Sequence, residues 1–235
     1  MTRWTAVVKI RQQDDDQESA RQALADLCQN YWYPLYAFAR RLGRSPEDSQ
    51  DLTQGFFSHV LEHNLFAAAK PELGKLRTFL LTTFRRYIGD VQERDSAQKR
   101  GGGGDLLSLD VIAGEEKYAW ELADAATPES LFERSWAVSV IKMAVTQLGT
   151  VEENAGRGTE FKAVEPFLSP EGPAEDYAAV AARLGMAEPA VRQIVSRLRK
   201  KFRDHLRKTI ADTLADADDK QVDEEILALR AALRN

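Results

Sequence analysis

Apolar residues recur along most of the chain at steps of three and four, the spacing that gathers side chains on one face of an α-helix. Leu24, Leu27, Tyr31, Leu35, Phe38 and Leu42 make the first stripe, and Gly43 stands where that helix would end. Ser45 and Pro46 then restart a helix. Serine serves as N-cap, proline takes the first helical position, and Glu47 and Asp48 fall where the helix dipole favours negative charge. Leu52, Phe56 and Val60 face inward on it. Breakers at Pro71 and Gly74 interrupt residues 64–76. A third helix is expected from Leu76 to Arg94, with Leu80, Phe84, Ile88 and Val91 as its stripe. Helical spacing resumes with Phe132, Trp136, Val140, Met143 and Leu148 between Ser130 and Leu148. Phe161, Val164, Phe167 and Leu168 suggest another helix before the loop Ser169 to Pro173. Thr5 to Ile10 is the one β-leaning stretch, and it is short, so the pattern predicts an all-α fold.

Residues 176–207 carry a sharper pattern. Tyr177, Val180, Ala181 and Leu184 make a short amphipathic helix, Gly185 follows, and a new helix begins near Pro189. Val191, Ile194, Val195, Leu198 and Phe202, continuing to Leu206, form its apolar stripe. A helix of about eight residues, a glycine turn and a second helix is helix-turn-helix spacing. The other face shows Arg192, Gln193, Ser196, Arg197, Arg199, Lys200 and Arg203. Arginine and glutamine can read base edges through paired hydrogen bonds, while lysine and serine mostly hold phosphates.

Charge sharpens this reading. The chain has 235 residues, net charge −5, 43% hydrophobic and 29% charged residues. Those values fit a soluble protein of one or two domains and exclude disordered, collagen-like and disulfide-rich classes. Within that acidic average, residues 177–209 hold nine basic residues against two acidic ones, and residues 70–104 hold eight against four. The segments between and after them, 105–176 and 210–235, are acidic. A solvated surface helix would mix its signs, whereas blocks of one sign mark surfaces with electrostatic work to do. The first basic block sets Lys75, Arg77, Arg85, Arg86 and Arg94 beside Phe79, Phe84 and Tyr87. Basic side chains hold a nucleic-acid backbone and aromatic rings stack on unpaired bases. Phe79, Thr83, Arg86, Asp90 and Arg94 fall on a different face from Leu80 and Phe84, which leaves that face for single-stranded DNA.

Gly101 to Gly104 are four glycines in a row, with no side chains to pack. Residues 95–127 therefore read as a flexible, acidic interdomain linker, with short local structure around Leu106 to Ile112. A phosphate-binding glycine loop would need a preceding strand, and a helical pattern precedes this one. The division expected is 1–94, a linker at 95–127, 128–210, and an acidic helical extension at 211–235.

Tyr31-Trp32-Tyr33-Pro34-Leu35-Tyr36, then Arg40 to Gly43, then Glu47-Asp48-Ser49-Gln50-Asp51-Leu52-Thr53-Gln54-Gly55-Phe56-Phe57 resembles domain two of bacterial sigma factors. The likeness is to the extracytoplasmic-function (ECF) branch of the sigma-70 family. Phe79-Leu80 through Asp90 and Arg94 is similar to that family's promoter-melting helix, and Tyr177 to Phe202 to its domain four. Order and spacing cover most of residues 20–210. The resemblance implies two helical domains, docking of Asp48, Asp51, Leu52 and Gln54 on core RNA polymerase, and capture of the melted minus-ten element by Lys75, Arg77, Phe79, Thr83, Arg86, Tyr87 and Arg94. It implies reading of the minus-thirty-five element by Arg192, Gln193, Ser196, Arg197, Arg199 and Lys200. The partners implied are core RNA polymerase and promoter DNA, as duplex and as melted strand. Control by an anti-sigma factor or a kinase stays open. The chain departs from the family in having Arg86 where asparagine is frequent, Phe79 where tryptophan is, and Ala187 at the usual N-cap of the reading helix.

Other chemistry is thin. Cys28 is the only cysteine, so no internal disulfide can form and a reducing cytoplasm is expected. No run of about 18 apolar residues and no signal-peptide pattern occurs, so no membrane association is expected. His59 and His63 lie four apart near Glu62 but lack a third His or Cys, so no metal or other cofactor is expected. One cysteine and three histidines offer no nucleophile–base pair, so no enzyme is expected. The alternative function is a helix-turn-helix regulator that binds DNA without polymerase, its N-terminal domain binding an effector or dimerising. The tail carries Leu214, Val222, Ile226, Leu229 and Leu233 as a stripe. It reads as an added helix that packs on the second domain or binds a regulator, its acidity screening the basic faces.

Overall fold

A computed structural model of the chain describes residues 17–63, 65, 75–98, 118, 127–168, 175–214 and 218–234. The described elements are helical, with no strand among them. They are α1 (Gln17–Arg41), α2 (Pro46–Glu62), α3 (Leu76–Gln98), α4 (Pro128–Asn154), α5 (Gly158–Val164), a 3-10 turn (Glu165–Leu168), α6 (Tyr177–Leu184), α7 (Glu188–Ala211) and α8 (Asp219–Ala232). Thr5 to Ile10, most of the 64–76 loop, Leu106 to Ile112, the glycine run and the Ser169–Pro173 loop lie outside the described residues. No described helix is long and apolar enough to cross a membrane.

The chain divides into two compact units, Met1–Ser139 with Ala211–Asn235, and Val140–Ile210. The division therefore falls inside α4 and at the end of α7, not at residues 95–127. Two parts of that stretch belong to ordered structure. α3 runs on to Gln98, since Asp95 to Gln98 contain neither glycine nor proline. Tyr118 is buried with Ala37 and Leu131, and the Arg40 guanidinium lies 4.9 Å over its ring.

In the first unit, Gly43 takes a left-handed φ of 85° and ends α1. Leu42 thus falls beyond the helix and is 46% exposed instead of lining the core. The Ser45 hydroxyl accepts the Asp48 N–H at 3.0 Å and caps α2, and Thr127 accepts the Ser130 N–H at 3.1 Å ahead of α4. One aromatic ring from each of the first three helices meets at the centre: Phe56 and Phe84 are 5.0 Å apart edge-on, and Phe38 and Phe84 are 6.2 Å apart. All three are fully buried, each contributing about 1.5–3 kcal/mol by leaving water. Gly55 lets α2 and α3 approach closely, because a Cβ there would sit 2.4 Å from the Tyr87 hydroxyl.

The C-terminal helix belongs to this same unit, where the sequence suggested the second domain or an outside regulator. α8 opens with a capping box between Asp218 and Gln221 and buries Val222, Glu225 and Leu229. The Glu225 carboxylate, fully buried, accepts Arg77 Nη1 at 2.5 and 2.6 Å and pairs with Lys75 at 2.8 Å.

The second unit is built on Leu148, Phe161, Val164, Phe167, Val180, Ala181, Val191, Val195 and Leu198. Glu152, also buried, pairs with Arg157 at 2.6 Å and with Lys201.

Candidate nucleic-acid interface

The helix-turn-helix lies wholly in the second unit. The Asp176 carboxylate accepts the Ala179 N–H at 2.8 Å and starts α6. Gly185, at φ 65°, reverses the chain after Leu184, and the Met186 N–H reaches the Ala181 carbonyl at 3.0 Å. A side chain at Gly185 would be strained in that left-handed conformation. α7 starts at Glu188 after Ala187, which has no side-chain oxygen to cap it. Val191, Val195 and Leu198 are buried, while Ile194, Phe202 and Leu206 are partly buried.

Arg192, Gln193, Ser196, Arg197, Arg199, Lys200 and Arg203 are all exposed on the opposite side of α7. They form one cationic face about three turns long, with amide and hydroxyl donors between the charges. Two of the arginines are held. Arg192 donates Nε and Nη2 to Glu188 Oε1 at 2.9 and 2.6 Å and lies 4.4 Å from the Tyr177 ring centroid. Arg199 donates Nε and Nη2 to the Phe167 carbonyl at 3.3 and 3.1 Å. Lys201 turns the other way, to Glu152. The Glu188–Arg192 spacing of four is a helix-pair signal legible in the sequence. The role of Tyr177 had no local signal.

In the first unit, α3 sorts the other predicted contacts. Arg86 and Arg94 are exposed, with Asp90 between them. Phe79 and Thr83 are half-buried, and the Thr83 hydroxyl donates to the Phe79 carbonyl at 2.8 Å. The Tyr87 ring packs 5.9 Å from Phe56 and 5.1 Å from His59, so it is held between helices. Lys75 is half-buried against Glu225. Arg77 must be corrected: it is 7% exposed and cannot touch DNA in this fold. It donates to Glu225 and, through Nε, to Glu133 at 2.7 Å, and its guanidinium lies 4.1 Å from the Trp136 ring. Burial opposes the Arg77 charge, but the hydrogen bond to Glu225 and the Glu133 charge outweigh it and raise its pKa above the usual arginine value. Arg85 is tied to Glu129 and lies over the Phe38 ring.

On α2, Asp48, Asp51 and Gln54 are exposed along one edge. Leu52 is a second correction. It is 9% exposed, because it shares the inward stripe with Phe56 and Val60, so its packing is internal. The His59 and His63 rings lie 4.4 Å apart, and no third His, Cys, Asp or Glu joins them in a ligand-like group among the described residues. Partial burial, then the His63 and Arg94 charges, hold the His59 pKa below its ordinary value.

Family models, characterised proteins and solved structures were compared with the chain, and none matched.

Proposed function

We propose that the chain is a sigma factor similar to the ECF branch of the sigma-70 family, acting in the cytoplasm as two helical domains. The observation that carries this reading is the exposed face of α7, which sets five arginines and lysines with a glutamine and a serine behind a glycine-turned α6. In this reading α7 enters the major groove of the minus-thirty-five element. Arginine and glutamine meet base edges, and lysine and serine meet phosphates, with released counterions driving the binding.

The exposed side of α3, with Arg86 and Arg94 beside the partly exposed Phe79 and Thr83, takes the melted minus-ten strand. Arg86 holds a phosphate and Phe79 offers a stacking ring. Asp48, Asp51 and Gln54 on α2 dock on core RNA polymerase. The chain does no chemistry of its own; it brings polymerase to a promoter and traps unpaired bases.

The test is co-elution of the purified chain with bacterial core RNA polymerase on a sizing column. A stable complex that is lost on Asp51→Ala plus Gln54→Ala supports the proposal. No complex, together with tight sequence-specific binding of duplex DNA by the chain alone, replaces it with a helix-turn-helix regulator.

A further inference from the structure

Arg192 is not a loose cation. Glu188 occupies its Nε–Nη2 edge, both donors ending on Oε1 at 2.9 and 2.6 Å. One face of the guanidinium is covered by the Tyr177 ring at 4.4 Å. Tyr177 is in turn stacked on Phe167, with centroids 4.5 Å apart and planes 24° apart, and Phe167 is a core residue 4% exposed. A continuous bracket therefore runs from the core of the second unit to the head of an exposed arginine. Arg199, seven positions further along α7, is braced by the carbonyl of the same Phe167.

The chemistry of the remaining donors decides what this arginine can bind. A free arginine grips phosphate with the Nε–Nη2 edge as readily as with its tip. Here that edge is taken by a carboxylate, which also repels an approaching phosphate. The donors left are those at the tip: the Nη1 hydrogens and the second Nη2 hydrogen. Two parallel donors at that spacing match two adjacent acceptors, which on a major-groove edge means N7 and O6 of guanine. Adenine sets a donor beside its N7, so the same pair of donors meets one partner and one clash.

We infer that Glu188 and Tyr177 are positioning residues that make Arg192 a reader of guanine in duplex DNA, in place of a general phosphate contact. The inference rests on the DNA-reading role proposed for α7 and assigns that face one base. Glu188 sets specificity by occupying one of the two phosphate-binding edges and by the negative charge that repels phosphate from the other. Tyr177 sets orientation by fixing the plane of the head. Neither touches the base itself.

The test uses the full chain with core RNA polymerase and a library of duplex oligonucleotides randomised over the bound site. Selected sequences are read for the wild type and four variants. The wild type should enrich a motif with one guanine that disappears on Arg192→Ala. Glu188→Ala and Tyr177→Leu should lower the preference for that guanine about tenfold while leaving the other positions of the motif unchanged. Tyr177→Phe keeps the ring and should retain it. Glu188→Ala should also tighten binding to random duplex and steepen its salt dependence by about one charge, a gain that a merely structural carboxylate would not produce. Melting temperatures of the variants identify any that fail to fold, and Tyr177→Phe and Glu188→Ala, both at partly exposed positions, keep the test decisive. A guanine that survives both Glu188→Ala and Tyr177→Leu overturns the inference and leaves the DNA-reading role standing. No enriched motif for the wild type overturns that role as well.

Discussion

Replacing Glu225 by alanine should cost the first unit about 3 kcal/mol. The carboxylate is fully buried and receives two contacts from Arg77 Nη1 and one from Lys75. Removing one partner of a buried ion pair typically costs about 3–5 kcal/mol, because the remaining charge is stranded away from water. The lower end applies here, since Arg77 keeps Glu133 at 2.7 Å and the Trp136 face at 4.1 Å. Lys75 adds little, because its side chain is 41% exposed and returns to water. The assay is urea unfolding followed by circular dichroism, with hydrogen exchange of the α8 amides to assign the transition to the first unit. Arg77→Met plus Glu225→Leu, which removes both charges and keeps the volume, should lie within about 1 kcal/mol of the wild type. A Glu225→Ala loss below about 0.5 kcal/mol, the size of an ordinary surface change, would refute the reasoning. So would a double variant worse than the single one. Arg77→Ala should likewise lower stability, whereas Arg86→Ala should lower affinity for single-stranded DNA and leave unfolding alone.

Three further outcomes follow from the packing. Glu152 has a carboxyl held below its usual 4.5, first by the Arg157 hydrogen bond, against burial and with help from Lys201. Its stabilisation is complete above that usual value and drains away as pH falls through the lower folded value. Melting temperatures between about pH 7 and pH 3 should therefore fall less steeply for Glu152→Gln than for the wild type, from a lower start. Gly55→Ala should cost about 1–3 kcal/mol by forcing the Tyr87 hydroxyl aside, and Tyr87→Phe in the same chain should recover part of it; calorimetry reads both. The Cys28 thiol is pushed up to about 11 by burial, so at about pH 8 it should react with iodoacetamide far more slowly than a free cysteine, and as fast once the chain is unfolded.

Much of this fold was legible because helices announce themselves locally. Phe56, Phe84, Trp136 and Val195 are core by their spacing alone, and all are buried. Ser45-Pro46-Glu47 marks a helix start, and the Ser45 hydroxyl caps α2 there. The face of α7 was legible for the same reason, since a stripe of one chemistry implies its opposite. Arg77 was misread because its partners lie 56 and 148 residues away, and nothing in the local pattern of a basic helix distinguishes a buried arginine from an exposed one. Leu52 was assigned to an outside partner although its own spacing placed it inside. Tyr118 was hidden by acidic neighbours that give no helical period. The tail was legible as a helix but not in its docking site, because an apolar stripe says that something is covered and not what covers it.

The pairing of Arg77 with Glu225 sets a clock on the birth of this protein. Their separation of 148 residues means that α3 leaves the ribosome well before the carboxylate that completes its surroundings. At about 5–20 residues per second the wait is roughly 7–30 s. All of Val140–Ile210 is made within that interval. The first unit must meanwhile wait with a guanidinium lacking its main partner and an apolar seat for Val222 and Leu229 unfilled. That places the greatest exposure to chaperones and proteases late in synthesis, and a premature stop anywhere before residue 225 would leave a chain whose N-terminal unit stays incomplete.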